Sequence, residues 1–199
     1  MDDAPSSRPA TAGPPGRDDA WRLLCEWTQS PSLRKHGLAV EAAVGWYGAQ
    51  RYGLSGRELE TWRVAGLLHD FDYERFPATH PVQGAQALRE LGYPESIVEA
   101  VLSHGDHTGV PRTSPLAHVV YACDEMAGFV IAVTYVRPHR SLDEVDVAAV
   151  LKKMRDRGFA RQVPRDQLQA GAAELGLPLE EHVANVIAGL TSARAGLGL

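Results

Sequence analysis

The chain has little cysteine: Cys25 and Cys123 are the only two in 199 residues. They stand far apart in stretches with helical patterning, which excludes a disulfide framework and fits buried, reduced thiols. Excess positive charge is also missing, with 20 Lys and Arg against 25 Asp and Glu and a formal net charge of −5. That argues against a binder of nucleic-acid polymers, which carries a basic surface. It leaves room for a nucleotide-sized ligand, which needs only a local basic patch. No apolar run reaches the roughly 18 residues that span a bilayer, and the N-terminus lacks a continuous apolar signal core. The expectation is a cytoplasmic protein with no membrane partner; its oligomeric state is left open. Repeats, a second-domain linker and recognisable strands are absent too. The 44% hydrophobic content is ample for one buried core.

What is present is almost wholly helical. Residues 1–18 hold Pro5, Pro9, Pro14 and Pro15 among Ser, Gly and charges, a composition that reads as a flexible tail. From Asp19 onward Trp21, Leu24, Cys25 and Trp27 recur at helical spacing. Ser30-Pro31 pairs an N-cap with proline at the first helical position, opening a helix with Leu33, His36, Val40, Val44 and Tyr47 on one face. Ser55 to Glu58 has the pattern of a capping box, and its helix carries Leu59, Trp62, Ala65, Gly66 and His69 inward. Gly66 would let a neighbouring helix come close. A loop over 71–79 follows. Helices are then expected from His80-Pro81, from Pro94 to about His104, from Ser114-Pro115 to about Val136, from a second capping box at Ser141 to Glu144, and near 165–175 and 179–193. The predicted architecture is an all-α bundle of about seven to nine helices in a single domain over 19–197.

His69-Asp70 ends the third helix, and His36, His80, His104 and Asp124 lie on or at the ends of other apolar helical faces. Each alone has an ordinary explanation. His36 fits a satisfied core histidine, His80 a cap, His104 a cation at a helix C-terminus, and Asp124 the partner of an arginine. Together they make a different proposition. Helix bundles build metal sites from facing side chains of several helices, and mixed His/carboxylate donors suit divalent Mn, Fe, Co, Ni or Zn.

The order His36, His69-Asp70, His80, His104, Asp124 resembles the HD superfamily of metal-dependent phosphohydrolases. Ala65-Gly-Leu-Leu-His-Asp70 is similar to that family's apolar helix ending in His-Asp. His80-Pro-Val-Gln-Gly-Ala85 with Gly92-Tyr-Pro-Glu95, Ala100-Val-Leu-Ser-His104 and Ala122-Cys-Asp124 resemble the segments that follow it in the HDIG-type branch. The likeness covers about residues 33–127, with further helices over 141–193. From about 20 to 190 the chain also resembles a compact bacterial group of predicted HD hydrolases, which shares Val136-Arg-Pro138 and Lys152-Lys153. Two departures stand out. Phe71-Asp72 replaces the third and fourth HDIG positions, and His104-Gly105-Asp106 replaces the paired histidines and glutamate of cyclic-dinucleotide-cleaving relatives.

The resemblance implies one metal on His36, His69, Asp70 and Asp124, and a second on His80 and His104 with Asp70 bridging. A water or hydroxide between the ions would be the nucleophile. With a single metal, His80 and His104 would contact substrate instead. Asp72 or Glu74 would orient that water or protonate the leaving group, and Arg137, Lys152 and Lys153 would contact phosphate. Asp106 and His107 would line the mouth. The implied activity is hydrolysis of a phosphate ester of a small molecule, a nucleotide or other phosphomonoester. The alternatives are a di-iron oxygenase of the same fold and a non-catalytic metal- or nucleotide-binding module.

Overall fold

The computed structural model describes residues 14–199, so residues 1–13 of the tail expected over 1–18 lie outside the described residues. Among these the protein is all-helical, without a strand. The helices are α1 (Arg17–Trp27), α2 (Pro31–Gln50), α3 (Gly56–Leu68), α4 (Val82–Glu90), α5 (Glu95–Ser103), α6 (Pro115–Tyr135), α7 (Val147–Arg155), α8 (Arg165–Glu174), α9 (Leu179–Ser192) and α10 (Arg194–Leu197), with 3-10 turns at Asp106–Thr108 and Leu142–Glu144. The four-residue α10 was not anticipated, and α1 begins at Arg17 rather than Asp19.

Two helix starts follow the expected chemistry. The Ser30 hydroxyl accepts from Leu33 N and the Ser114 hydroxyl from Ala117 N, each with proline at the first helical position. The two capping boxes do not form. Ser55 makes no side-chain cap bond. Ser141 caps only the 3-10 turn, and Asp146 is the N-cap of α7, accepting from Ala149 N at 2.7 Å. Glu144 is drawn away by His139, whose backbone N–H and Nδ1–H both donate to its carboxylate.

Helix α6 is the axis, packed by α2, α3, α5, α7, α8 and α9. By length and mean hydropathy, 1.5 over its most apolar 18 residues, it could cross a membrane, which corrects the expectation that no such run exists. Here 78% of that window is buried against the other helices. Helix α3 crosses α2 at Gly66, where a Cβ would lie 2.9 Å from Val40 O. This close approach brings His36 and His69 to one place. Buried Glu41 ties α1 and α3 to α2, accepting from Arg17 and Arg63 at 3.0 Å. At the far end His182, fully buried, donates to Ala122 O at 2.9 Å and accepts from Tyr47 OH at 2.7 Å. Burial holds its pKa down to about 4, so it stays neutral and α9 locks α2 to α6.

Candidate metal centre

Six donor side chains from α2, the end of α3, the loop before α4, the end of α5, and α6 meet beside the axis helix. His69 is the C-cap of α3 and His104 the C-cap of α5. Both use the same local device. His69 Nδ1–H donates to Gly66 O at 2.9 Å and His104 Nδ1–H to Val101 O at 2.6 Å. Each ring is thereby fixed with its Nε2 lone pair turned inward, the tautomer that a metal requires.

His36, His69, Asp70 and Asp124 form one group able to hold an ion, and Asp70, His80 and His104 form a second. In the first, His36 Nε2 lies 3.1 Å from His69 Nε2 and 3.0 Å from Asp124 Oδ1, and His69 Nε2 lies 3.2 Å from Asp124 Oδ1. Asp70 Oδ2 stands 3.4 Å from His69 Nε2 and 3.8 Å from His36 Nε2. In the second, Asp70 Oδ1 stands 3.1 Å from His80 Nε2 and 3.2 Å from His104 Nε2. Donors about 2.1 Å from a common ion lie about 3.0–3.4 Å apart in octahedral or tetrahedral arrangements, so this donor set fits divalent metal. Asp70 gives one oxygen to each group.

The charges within the cluster offset one another. Burial presses His69 towards neutrality, but the carboxylates of Asp70 and Asp124 outweigh it and hold its pKa well above the ordinary value. Burial likewise opposes protonation of His80, and its bonds to Asp70 and Asp72 prevail, raising its pKa to about 9. Burial would raise Asp70 and Asp124, but the neighbouring histidines hold both below the usual carboxylate range. For Glu125, beside them on α6, His36 and His69 pull the same way but do not prevail. Burial first, and Asp124 second, push it up to about 7.

The group opens into a cleft of about 640 Å³. Asp106 and His107 line it, as expected, and His107 Nε2–H donates to His80 O at 2.9 Å. The two carboxylates expected to act on water, Asp72 and Glu74, are not among the residues lining it. Asp72 is fully buried; its Oδ1 accepts from His80 Nδ1–H at 2.6 Å and its Oδ2 from Gly84 N at 2.7 Å. Both oxygens are taken, so Asp72 orients His80 and does not reach the cleft. Glu74 faces the α1–α2 turn, accepting from Gln29 N at 3.0 Å and Ser30 N at 2.9 Å.

The expected phosphate contacts lie elsewhere as well. Arg137, Lys152 and Lys153 are not among the residues lining the cleft. Arg137 follows α6, with its Nε buried and unpartnered among the described residues. Lys152 is exposed on α7, and Lys153 sits 4.7 Å above the Phe159 ring and 3.7 Å from Asp156. Sequence reasoning missed Tyr73, Gln162, Val163 and Gln167, which do line it. The last three come from a segment whose many basic residues drew attention away from its glutamines.

Residues 34–128 match the family model of the HD domain. A curated relative, Ribonuclease Y 2 of Levilactobacillus brevis, is 32% identical over 111 residues, 54% of this chain and 19% of that protein. The chain thus spans about a fifth of the length of the relative it matches. No solved structure matches the chain.

Proposed function

Residues 34–128 of this chain belong to the HD domain family, and on that premise we propose that the protein is a metal-dependent hydrolase of phosphate esters on small molecules, of which nucleotides are the leading class. The observation that carries this reading is the Asp70 carboxylate, with one oxygen 3.4 Å from His69 Nε2 in one donor group and the other 3.1 Å from His80 Nε2 in the next. His36, His69 and Asp124 would hold one ion with Asp70, and His80 and His104 the other. Bound divalent metals polarise a phosphoryl oxygen and acidify water. The protein's part is to keep the donors aimed. Gly66 O and Val101 O fix the rings of His69 and His104, and Asp72 fixes His80.

The relative's name, a ribonuclease, supports phosphate-ester chemistry. A cleft without a lysine or arginine in its lining among the described residues, in a chain of net charge −5, favours a small substrate over a polymer. The test is metal analysis of the purified protein with a hydrolysis panel over Mn, Co, Ni, Mg and Zn, run beside His69→Ala. The wild type should retain divalent metal and hydrolyse phosphate esters, with the variant losing metal and about 100-fold or more of the rate. Equal hydrolysis by both proteins, or oxygen-dependent turnover at two irons, overturns the reading.

A further inference from the structure

We propose that Gln162 and Gln167 are specificity-determining residues that read the nucleobase of a nucleoside monophosphate, an inference that rests on the phosphohydrolase reading above. The charge of the cleft gives the first argument. Its lining includes the carboxylates of Asp70, Asp106, Asp124 and Glu125 and no lysine or arginine. Bound metal would offset Asp70 and Asp124 and receive one phosphate. Any further phosphate would meet Asp106 and Glu125, and Arg112, the cation paired with Asp106 at 2.8 Å, is already committed to Glu174 as well. The substrate's remaining part is therefore uncharged.

The wall supplies groups suited to such a part. Gln162 and Gln167 line the cleft, and among the described residues neither side-chain amide is engaged in a hydrogen bond. Each offers two N–H donors and a carbonyl acceptor, the complement of a base edge. Tyr73, 48% exposed, also lines the cleft, its ring edge-on to His80 at 5.3 Å. An exposed aromatic face beside a metal centre is a stacking surface for a base.

The wall is built rather than loose. Between α7 and α8 the chain turns around the Arg165 guanidinium. That group donates to the carbonyls of Val163 at 2.7 Å, Ala160 at 3.1 Å and Met154 at 3.2 Å, and also to Asp156 O and Phe159 O. Its carbon lies 4.5 Å from the Phe129 ring centre on α6, the helix that carries Asp124. Recognition groups held on a braced turn keep their geometry. Gln162 and Gln167 also lie beyond residues 34–128, whereas every donor of the metal centre lies within them.

The test uses the full chain loaded with Mn, the four ribonucleoside 5′-monophosphates, their triphosphates, and p-nitrophenyl phosphate. The wild type should prefer monophosphate to triphosphate for its best nucleoside. The double variant Gln162→Ala/Gln167→Ala should lower the kcat/KM ratio of that monophosphate to p-nitrophenyl phosphate about tenfold, chiefly through KM, as loss of direct hydrogen bonds does. Gln167→Lys, which supplies the missing cation, should raise the ratio of triphosphate to monophosphate about fivefold or more. Wild-type hydrolysis with both ratios unchanged, or hydrolysis of p-nitrophenyl phosphate but of no nucleotide, overturns the inference and leaves the hydrolase reading standing. No hydrolysis of any ester with any metal overturns both.

Discussion

Asp72 shows how a residue two positions past the His-Asp pair contributes without touching the chemistry. Its Oδ1 takes the Nδ1–H of His80 at 2.6 Å, a carboxylate–histidine pairing that raises the basicity of the other ring nitrogen. Asp72→Asn would present an amide to Gly84 N–H or to His80, one of which must then lose its acceptor. The expected outcome is a loss of about 10- to 100-fold in affinity at the His80–His104 group, with the other group retained, read as a fall in metal stoichiometry by calorimetric titration. Protonation gives a second residue-scale expectation. The pKa of His80 is raised from 6.5 to about 9 and that of His69 is raised as well. A raised pKa stabilises the folded, metal-free protein fully below about 6.5, and that contribution is lost as pH rises through about 9. Metal needs the neutral ring, so its affinity moves the opposite way. Thermal melts from pH 6 to 9.5 should show the metal-free protein falling in Tm while the metal shift grows. A flat difference between the two curves would refute the assignment of these protons.

Among the elements, the crossing of α2 and α3 sets the first donor pair. Gly66→Ala would put a Cβ 2.9 Å from Val40 O and 3.1 Å from the Glu41 backbone, neither able to yield without moving a helix. Overpacking of this kind costs about 1–3 kcal/mol, and it should weaken metal binding because His36 and His69 are carried by the two displaced helices. Urea unfolding with a metal titration checks both. The segment between α7 and α8 is held by Arg165 together with Phe159, whose ring packs edge-on against Phe129 at 5.5 Å. Arg165→Lys keeps the charge but offers a single nitrogen in place of the guanidinium fork. It should raise KM more than it lowers kcat, leaving metal content unchanged; loss of metal would show that the segment supports the centre itself.

At the scale of the whole molecule, the donors are separated by up to 88 positions in sequence, so a bound metal would favour the folded chain over the unfolded one. Saturating Mn or Zn at about 100 times Kd should add about 2.7 kcal/mol of stability, visible as a rise in Tm that His69→Ala abolishes. Much of this architecture was legible in the sequence. The apolar periodicity located most of the helices, and Ser30-Pro31 and Ser114-Pro115 marked two starts because proline and a hydroxyl cap act locally. The convergence of six donors could be anticipated from order and context. What stayed hidden depended on tertiary partners. Ser55 and Ser141 carry the pattern of a box without forming one. Asp72 is free in sequence and doubly engaged in space, and Gln162 and Gln167 have no signal until Arg165 folds their segment over the cleft. That one guanidinium, shared by carbonyls from Met154 to Val163, has a kinetic consequence. A stretch whose carbonyls share one anchor, with Phe159 packed on Phe129 beside it, is released as a unit, so in hydrogen–deuterium exchange the amides of 156–163 should take up label together, at a rate set by one local opening rather than by unfolding of the bundle.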